Sequence, residues 1–204
     1  MMSHHVSLVR LFCYDVNGLN PCTQARNTGS FMANQVNTRK GIEMSLVLDT
    51  LRISTITEEL TDAELEIFEE LFDVKNYKAG DLIIHPGGKE PDNLYILAQG
   101  EIQVKIHSSD GDTLIHVLKP GDLAGIITFA GGAPSQHSAA LYSIGETKVL
   151  SMPSAKFDSL VCSRPMTAHK VMRGIVRYVH GIVRNMNAKS SELSNYIYRN
   201  GGGY

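Results

Sequence analysis

Cysteine is scarce in this 204-residue chain, which has three: Cys13, Cys22 and Cys162. Three scattered thiols do not make a disulfide framework, and an iron–sulfur cluster takes four thiolates. A reducing, cytoplasmic compartment is the expectation. Long apolar runs are also missing. No stretch approaches the ~18 residues that span a bilayer, so no membrane span is predicted. Charge of one sign is lacking as well: 19 Lys and Arg stand against 21 Asp and Glu, a net charge of −2. That balance gives the whole chain no pull toward nucleic acid. Near the start, His4, His5 and Arg10 break up a short apolar patch and no small-residue cleavage site follows, so a secretory leader is not expected. What is present, 43% hydrophobic and 20% charged residues, suits a globular protein with a real core and excludes a collagen-like or mainly disordered chain.

Residues 1–43 differ from the rest. They are rich in Asn, Thr, Ser and Gln and show neither helical nor strand period. Such a segment buries too little apolar surface to offset its ordering entropy, and it is expected to be a disordered extension. Met44, ahead of Leu46, Val47 and Leu48, is a possible alternative start. A domain is expected over 44–200. Thr61 and Glu64 have the spacing of a capping box, with Leu60 and Leu65 placed as its hydrophobic staple. Leu65, Phe68, Leu71 and Phe72 then give one apolar helical face.

From about 73 to 152 the text changes to short strands punctuated by glycine and proline. Strands are predicted over 82–84, 94–98, 102–107, 113–118, 138–142 and 147–152. Ile102, Val104 and Ile106 alternate with Gln103, Lys105 and His107, the mark of a half-buried strand. Many short strands with such turns indicate a β-sandwich or jelly roll. Helices are predicted over 153–198, with Pro165 suited to a helix start. On a wheel of ~100° per residue the apolar positions of this last helix form two stripes. One holds Val171, Ile175, Tyr178 and Ile182. The other holds Met172, Val176, Val179, Val183 and Met186, spaced 4-3-4-3 like a coiled-coil seam. Two stripes require two partners: the β-rich part of the same chain, and a second copy.

This order of parts resembles the cyclic nucleotide-binding domain family, the sensor of catabolite-activator-type regulators and of cyclic-AMP-dependent kinase regulatory subunits. The matching text runs from Tyr77-Lys78-Ala79-Gly80-Asp81-Leu82-Ile83-Ile84 through His85-Pro86-Gly87-Gly88. It continues at Asp92-Asn93-Leu94-Tyr95-Ile96-Leu97, at Gly100-Glu101-Ile102 and at Lys119-Pro120-Gly121-Asp122. The resemblance covers about 50–190 and implies a mainly β fold, a β-roll with flanking helices and a long C-terminal helix. It also implies a non-enzymatic, regulatory role in signal transduction, as a homodimer acting on an effector protein.

Family members bind the nucleotide with a Gly-Glu-Leu turn and a following Arg-Ser/Thr-Ala. The arginine pairs with the cyclic phosphate and the glutamate accepts the ribose 2′-hydroxyl. Here the resemblance places the pocket at Gly125, Ile126, Ile127, Thr128, His137, Ser138 and Ala139. Gly125, Ser138 and Ala139 match the pattern. Ile126 replaces the glutamate and His137 the arginine. Isoleucine accepts no hydrogen bond, and a histidine of ordinary pKa, about 6.5, is mostly neutral at pH 7 and makes no bidentate fork. Cyclic nucleotide binding is therefore expected to be weak or lost, with His137 open to a small anion and Ile126 and Ile127 filling the pocket. No cofactor is expected.

Other readings are less favoured. His85, His107 and His116 lie on separate strands without ligand spacing, so no metal site is predicted. A cupin-type enzyme needs a His-x-His and a glutamate within one hairpin, and no such set occurs between 73 and 152. Arg164, Lys170, Arg173, Arg177, Arg184, Lys189 and Arg199 face a single acid, Glu192, over 160–204; a solvated helix face is expected there. Activator-type regulators continue into a winged helix-turn-helix, and no DNA-binding module is expected in the residues after this helix. The alternative to a sensor is a ligand-free dimerisation or protein-interaction scaffold.

Overall fold

The computed structural model describes residues 39–85, 92–108, 111–131 and 139–200. Helix α1 (Arg39–Ile53) begins ahead of Met44, so the boundary expected at residue 43 falls inside a helix. Residues 1–38 of the expected extension lie outside the described residues. Val47 and Leu51, one turn apart, bury the inner side of α1. A single 3₁₀ turn (Thr55–Thr57) follows, held by the Thr57 hydroxyl, which donates to the Ser54 carbonyl at 2.9 Å and to the Leu51 carbonyl.

Helix α2 (Asp62–Glu69) opens with the expected capping box. The Thr61 N–H donates to Glu64 Oε2 at 2.9 Å, and the Glu64 N–H donates back to Thr61 Oγ1 at 3.4 Å. Such a cap contributes about 1 kcal/mol. Leu65, Phe68 and Phe72 are buried as predicted, and the Phe68 and Phe72 rings meet edge to face at 5.1 Å.

Among the described residues, eight antiparallel strands form two four-stranded sheets. One sheet has the order β1 (Asp73–Tyr77), β8 (Thr147–Pro153), β3 (Asn93–Gln99), β6 (Leu123–Ala124). The other runs β2 (Leu82–Ile84), β7 (Ala140–Ser143), β4 (Ile102–Ser108), β5 (Gly111–Leu118). Strands β1 and β6 are additions to the predicted set; the others agree with it to within a few residues.

Two turns that share a Lys-x-Gly-Asp pattern connect the sheets. In Lys78-Ala79-Gly80-Asp81 and again in Lys119-Pro120-Gly121-Asp122, the lysine N–H donates to the aspartate carboxylate, at 2.7 and 2.8 Å. The aspartate N–H returns to the lysine carbonyl, at 3.1 and 3.0 Å. This side-chain-to-backbone closure is why Asp follows Gly at both corners.

The core has two compartments. Between the sheets lie Ile83, Ile84, Tyr95, Leu97, Ile102, Leu118, Leu141 and Val149. On the outer face of the β1–β8–β3–β6 sheet, Leu94, Ile96, Leu150 and Met152 pack with α1, α2 and the C-terminal helices. Strand β3 thus sends Tyr95 and Leu97 one way and Leu94 and Ile96 the other, and a strand buried on both faces reads as an unbroken apolar run.

Helix α4 (Ser154–Ser163) and the 36-residue helix α5 (Pro165–Asn200) are the last described elements, with Pro165 at the first helical position as expected. Val171 and Ile175 are buried and Tyr178 is half-buried, so this stripe faces the chain's own core. Ile182 departs from the expectation: it is 41% exposed, because α5 has by then passed the end of the core. Gly174 lets α5 cross the 3₁₀ turn at very close range; a Cβ there would lie 2.5 Å from Ile56 Cα.

Candidate ligand-binding site

Strand β6 delivers the chain to the predicted pocket turn. Its two residues pair with β3, Ala124 opposite Tyr95 and Leu123 opposite Ile96. Gly125 then takes φ = +74°, a left-handed conformation, with its Cα face pressed against β3. An added Cβ would sit 2.4 Å from the Asn93 carbonyl oxygen and 3.1 Å from the Tyr95 ring. Both the dihedral and the space require glycine.

One helical turn follows, α3 (Ile126–Phe129). The Phe129 N–H donates to the Gly125 carbonyl at 3.1 Å and the Ala130 N–H to the Ile126 carbonyl at 2.9 Å. Thr128 is buried and its hydroxyl donates to the Gly125 carbonyl at 3.0 Å. Phe129 is buried against Phe157, ring centroids 5.3 Å apart. These contacts fix the turn from beneath.

The two isoleucines part company. Ile126 is half-buried and packs against the helical compartment, whereas Ile127 is 75% exposed. The expectation that both fill a pocket is corrected for Ile127, because successive residues of one helical turn point ~100° apart. From Leu123 to Gly131 no side chain is charged. His137 and Ser138 lie outside the described residues; Ala139 is half-buried and leads into β7.

Residues that sequence reasoning did not single out surround the turn. Asn93 is buried at the start of β3, its Nδ2 donating to the Tyr95 hydroxyl at 3.2 Å. The Lys75 ammonium stands 5.8 Å from the centre of the Tyr95 ring, within cation–π range. From α5, the Tyr178 hydroxyl accepts the Leu123 N–H at 3.0 Å. Burial, with the Asp122 carboxylate nearby, pushes this phenol up to about 12.

Helix α5 is bolted to the N-terminal helices by charge. Lys170 donates to both carboxylate oxygens of Glu64, at 2.9 and 2.7 Å, and the Thr167 hydroxyl adds a third bond at 3.2 Å. The Lys170 ammonium and the capping-box bonds hold the Glu64 carboxyl at about 2. Arg177 pairs with Glu59, and Arg173 lies 3.3 Å from the same carboxylate. Both guanidiniums hold the Glu59 carboxyl below its ordinary range, Arg177 chiefly through its hydrogen bond. The basic face read as merely solvated is, at Lys170, Arg173 and Arg177, an intramolecular ion-pair surface.

Along the seam predicted for a second copy, Val176 is 64% exposed, Val183 45% and Met186 63%, and Val179 is exposed as well. Met172 is a correction to that set, since it is half-buried against the chain's own core. Leu193 is exposed and continues the heptad spacing. His85 and His116 are exposed and far from a common site in the topology. Among the described residues, no three His, Cys, Asp or Glu side chains are grouped to hold a metal, and no helix is long and apolar enough to cross a membrane.

Residues 74–163 match the family model of the cyclic nucleotide-binding domain. The match covers 90 of the chain's 204 residues. Strands β2 to β8 and helices α3 and α4 lie within the matched residues, and β1 overlaps their start. Solved structures agree on the fold. A cyclic nucleotide-binding domain from Methylobacillus flagellatus is similar at 15% identity with a TM-score of 0.64, covering 72% of this chain and 82% of that one. The catabolite activator protein of Thermus thermophilus is similar at 20% identity and a TM-score of 0.56, over 67% of this chain and 63% of that one. The regulatory subunit of a cAMP-independent protein kinase A from Trypanosoma brucei, a mutant bound to cAMP in the A site, is similar at 17% identity. Its TM-score is 0.56 over 73% of this chain, which spans 54% of the subunit. No curated protein matches the sequence. The cyclic nucleotide-binding domains of activators and kinase subunits are regulatory and non-catalytic, and the fold is consistent with a regulatory sensor module.

Proposed function

We propose that this chain is a non-enzymatic regulatory module whose cyclic nucleotide-binding domain has lost tight binding of cyclic AMP and cyclic GMP. It works as a homodimer through α5 and acts on a partner protein in the cytoplasm. The observation that carries the reading is the charge-free turn from Leu123 to Gly131, where Ile126 is turned into the helical core. A ribose hydroxyl needs an acceptor there. The Thr128 hydroxyl, buried beneath the turn and donating to the Gly125 carbonyl, is uncharged and does not replace a carboxylate acceptor. Each charge-assisted bond missing relative to the family pattern costs affinity worth roughly 1.5–3 kcal/mol. The trypanosomal relative, described as cAMP-independent, supports the idea that the fold persists without the usual response.

Titration calorimetry tests this. Cyclic AMP and cyclic GMP should bind more weakly than roughly 100 μM, some −5.5 kcal/mol. The double change Ile126→Glu with His137→Arg should gain measurable binding. A sub-micromolar dissociation constant for the parent protein would overturn the reading.

A ligand-free assembly scaffold is the second reading, favoured by the exposed apolar stripe on α5. A thermal-shift panel of small anions separates the two. A shift that disappears in His137→Ala supports sensing, and a flat panel supports the scaffold.

A further inference from the structure

From Val179 onward, every large apolar side chain described on α5 is exposed: Val179, Ile182, Val183, Met186, Leu193 and Tyr196. Written as heptads, the seam puts Val176, Val183 and Ser190 at a and Val179, Met186 and Leu193 at d. Two features exceed what a pair of helices covers. The first is width. Ile182 and Tyr196 stand at g, and Ile182 lies one turn from both Val179 and Met186, so the g line is continuous with the seam. A two-stranded seam uses a and d alone, whereas apolar residues at a, d and g mark a helix inside a bundle. The second is side-chain shape. Val176, Val179 and Val183 are β-branched at successive a and d positions, a pattern that shifts preference from two strands toward more. On the other flank of the seam, the e positions His180, Asn187 and Ser194 are polar.

We propose that the distal half of α5 forms a four-helix bundle between two dimers of this chain, making the protein a dimer of dimers. In a lone pair, Ile182 and Tyr196 would remain in water beside the seam. Four helices that turn a, d and g toward one axis cover them. No apolar line is then left to recruit further copies, so the assembly closes. Lys189, the charged g residue between Ile182 and Tyr196, lays its stem along the apolar face and keeps its ammonium at the rim. The inference rests on the proposed homodimer and adds a second interface to it.

Sedimentation equilibrium of the full chain tests this over roughly 1–200 μM, a range in which weak association becomes visible. The mass should climb from twice to four times the 22.4 kDa of the chain. Ile182→Glu and Tyr196→Glu should each hold it at the dimer, because four carboxylates would meet in the bundle without partners. Both positions are exposed in the single chain, so circular dichroism and melting of these variants should match the parent. Should Ile182→Glu melt lower, Tyr196→Glu, at a site 68% exposed, decides. A parent that stays dimeric at the highest concentration, a trimer, or tetramers that persist in both glutamate variants would overturn the bundle. The first of these leaves the homodimer intact and the g line to the effector protein. A parent that is monomeric throughout overturns the homodimer itself, and the bundle falls with it.

Discussion

The two halves of α5 carry similar apolar residues at similar spacing and meet opposite fates. From 165 to 178, Ala168, Val171 and Ile175 are buried, Lys170, Arg173 and Arg177 pair with Glu58, Glu59 and Glu64, and Gly174 touches the 3₁₀ turn. From 179 onward, Ile182, Val183, Met186 and Leu193 are all exposed. Hydrophobic period says that a face seeks cover. It does not say whether the cover belongs to the same chain.

The comparison breaks most visibly at its exposed half. Val179→Glu should convert a dimer to a monomer in sedimentation, because two apposed carboxylates would be buried without partners. A monomeric parent, or a variant that stays dimeric, removes the seam from the account. The clamped half answers to stability measurements. Gly174→Ala pushes a methyl to 2.5 Å from Ile56 Cα, and urea unfolding should show a loss of roughly 2–3 kcal/mol from overpacking. A neutral result would mean that α5 does not cross the 3₁₀ turn as described.

Smaller effects sharpen the contrast. Glu64→Gln should cost about 1 kcal/mol near neutral pH, since a half-buried pair with Lys170 is exchanged for a neutral bond. The Glu64 carboxyl is depressed in the folded state, from 4.5 to about 2. Its contribution is thus complete above the unfolded value and fades as pH falls through the folded one. The difference between parent and Glu64→Gln should shrink toward pH 2; a constant difference would show that the carboxylate's charge is not what holds α5. Gly181, one heptad on from Gly174, has nothing within 4 Å of an added Cβ. Gly181→Ala should raise stability by about 0.5–1 kcal/mol through helix propensity, the opposite sign from Gly174→Ala.

The capping box of α2 was legible because its partners are three residues apart and their geometry is local. Most strands were legible from glycine and proline punctuation. Strand β6 was not: two residues long, it exists only because β3 lies beside it. Within the candidate site, Gly125 matched the family spacing, and the structure supplies the reason in its +74° φ and its contact with β3. The different directions of Ile126 and Ile127 had no sequence signal, since both are the same residue type side by side. Nor did the roles of Asn93, Tyr95 and Tyr178, which arise from contacts between distant segments.

By itself the sequence determined the class of fold, the capped helix, most of the strands, the two stripes on α5 and the absence of charge in the pocket turn. Each of these follows from residue type and short spacing, where dihedral preference and side-chain period act. Only the tertiary structure decided that β3 and β8 are buried on both faces, that Lys170, Arg173 and Arg177 pair with carboxylates of the same chain, and that the inner stripe of α5 ends at Tyr178. The physical reason is common to all three. Burial and ion pairing depend on what another segment brings across space, and two residues 55 positions apart, Leu123 and Tyr178, meet at 3.0 Å only once the chain has folded.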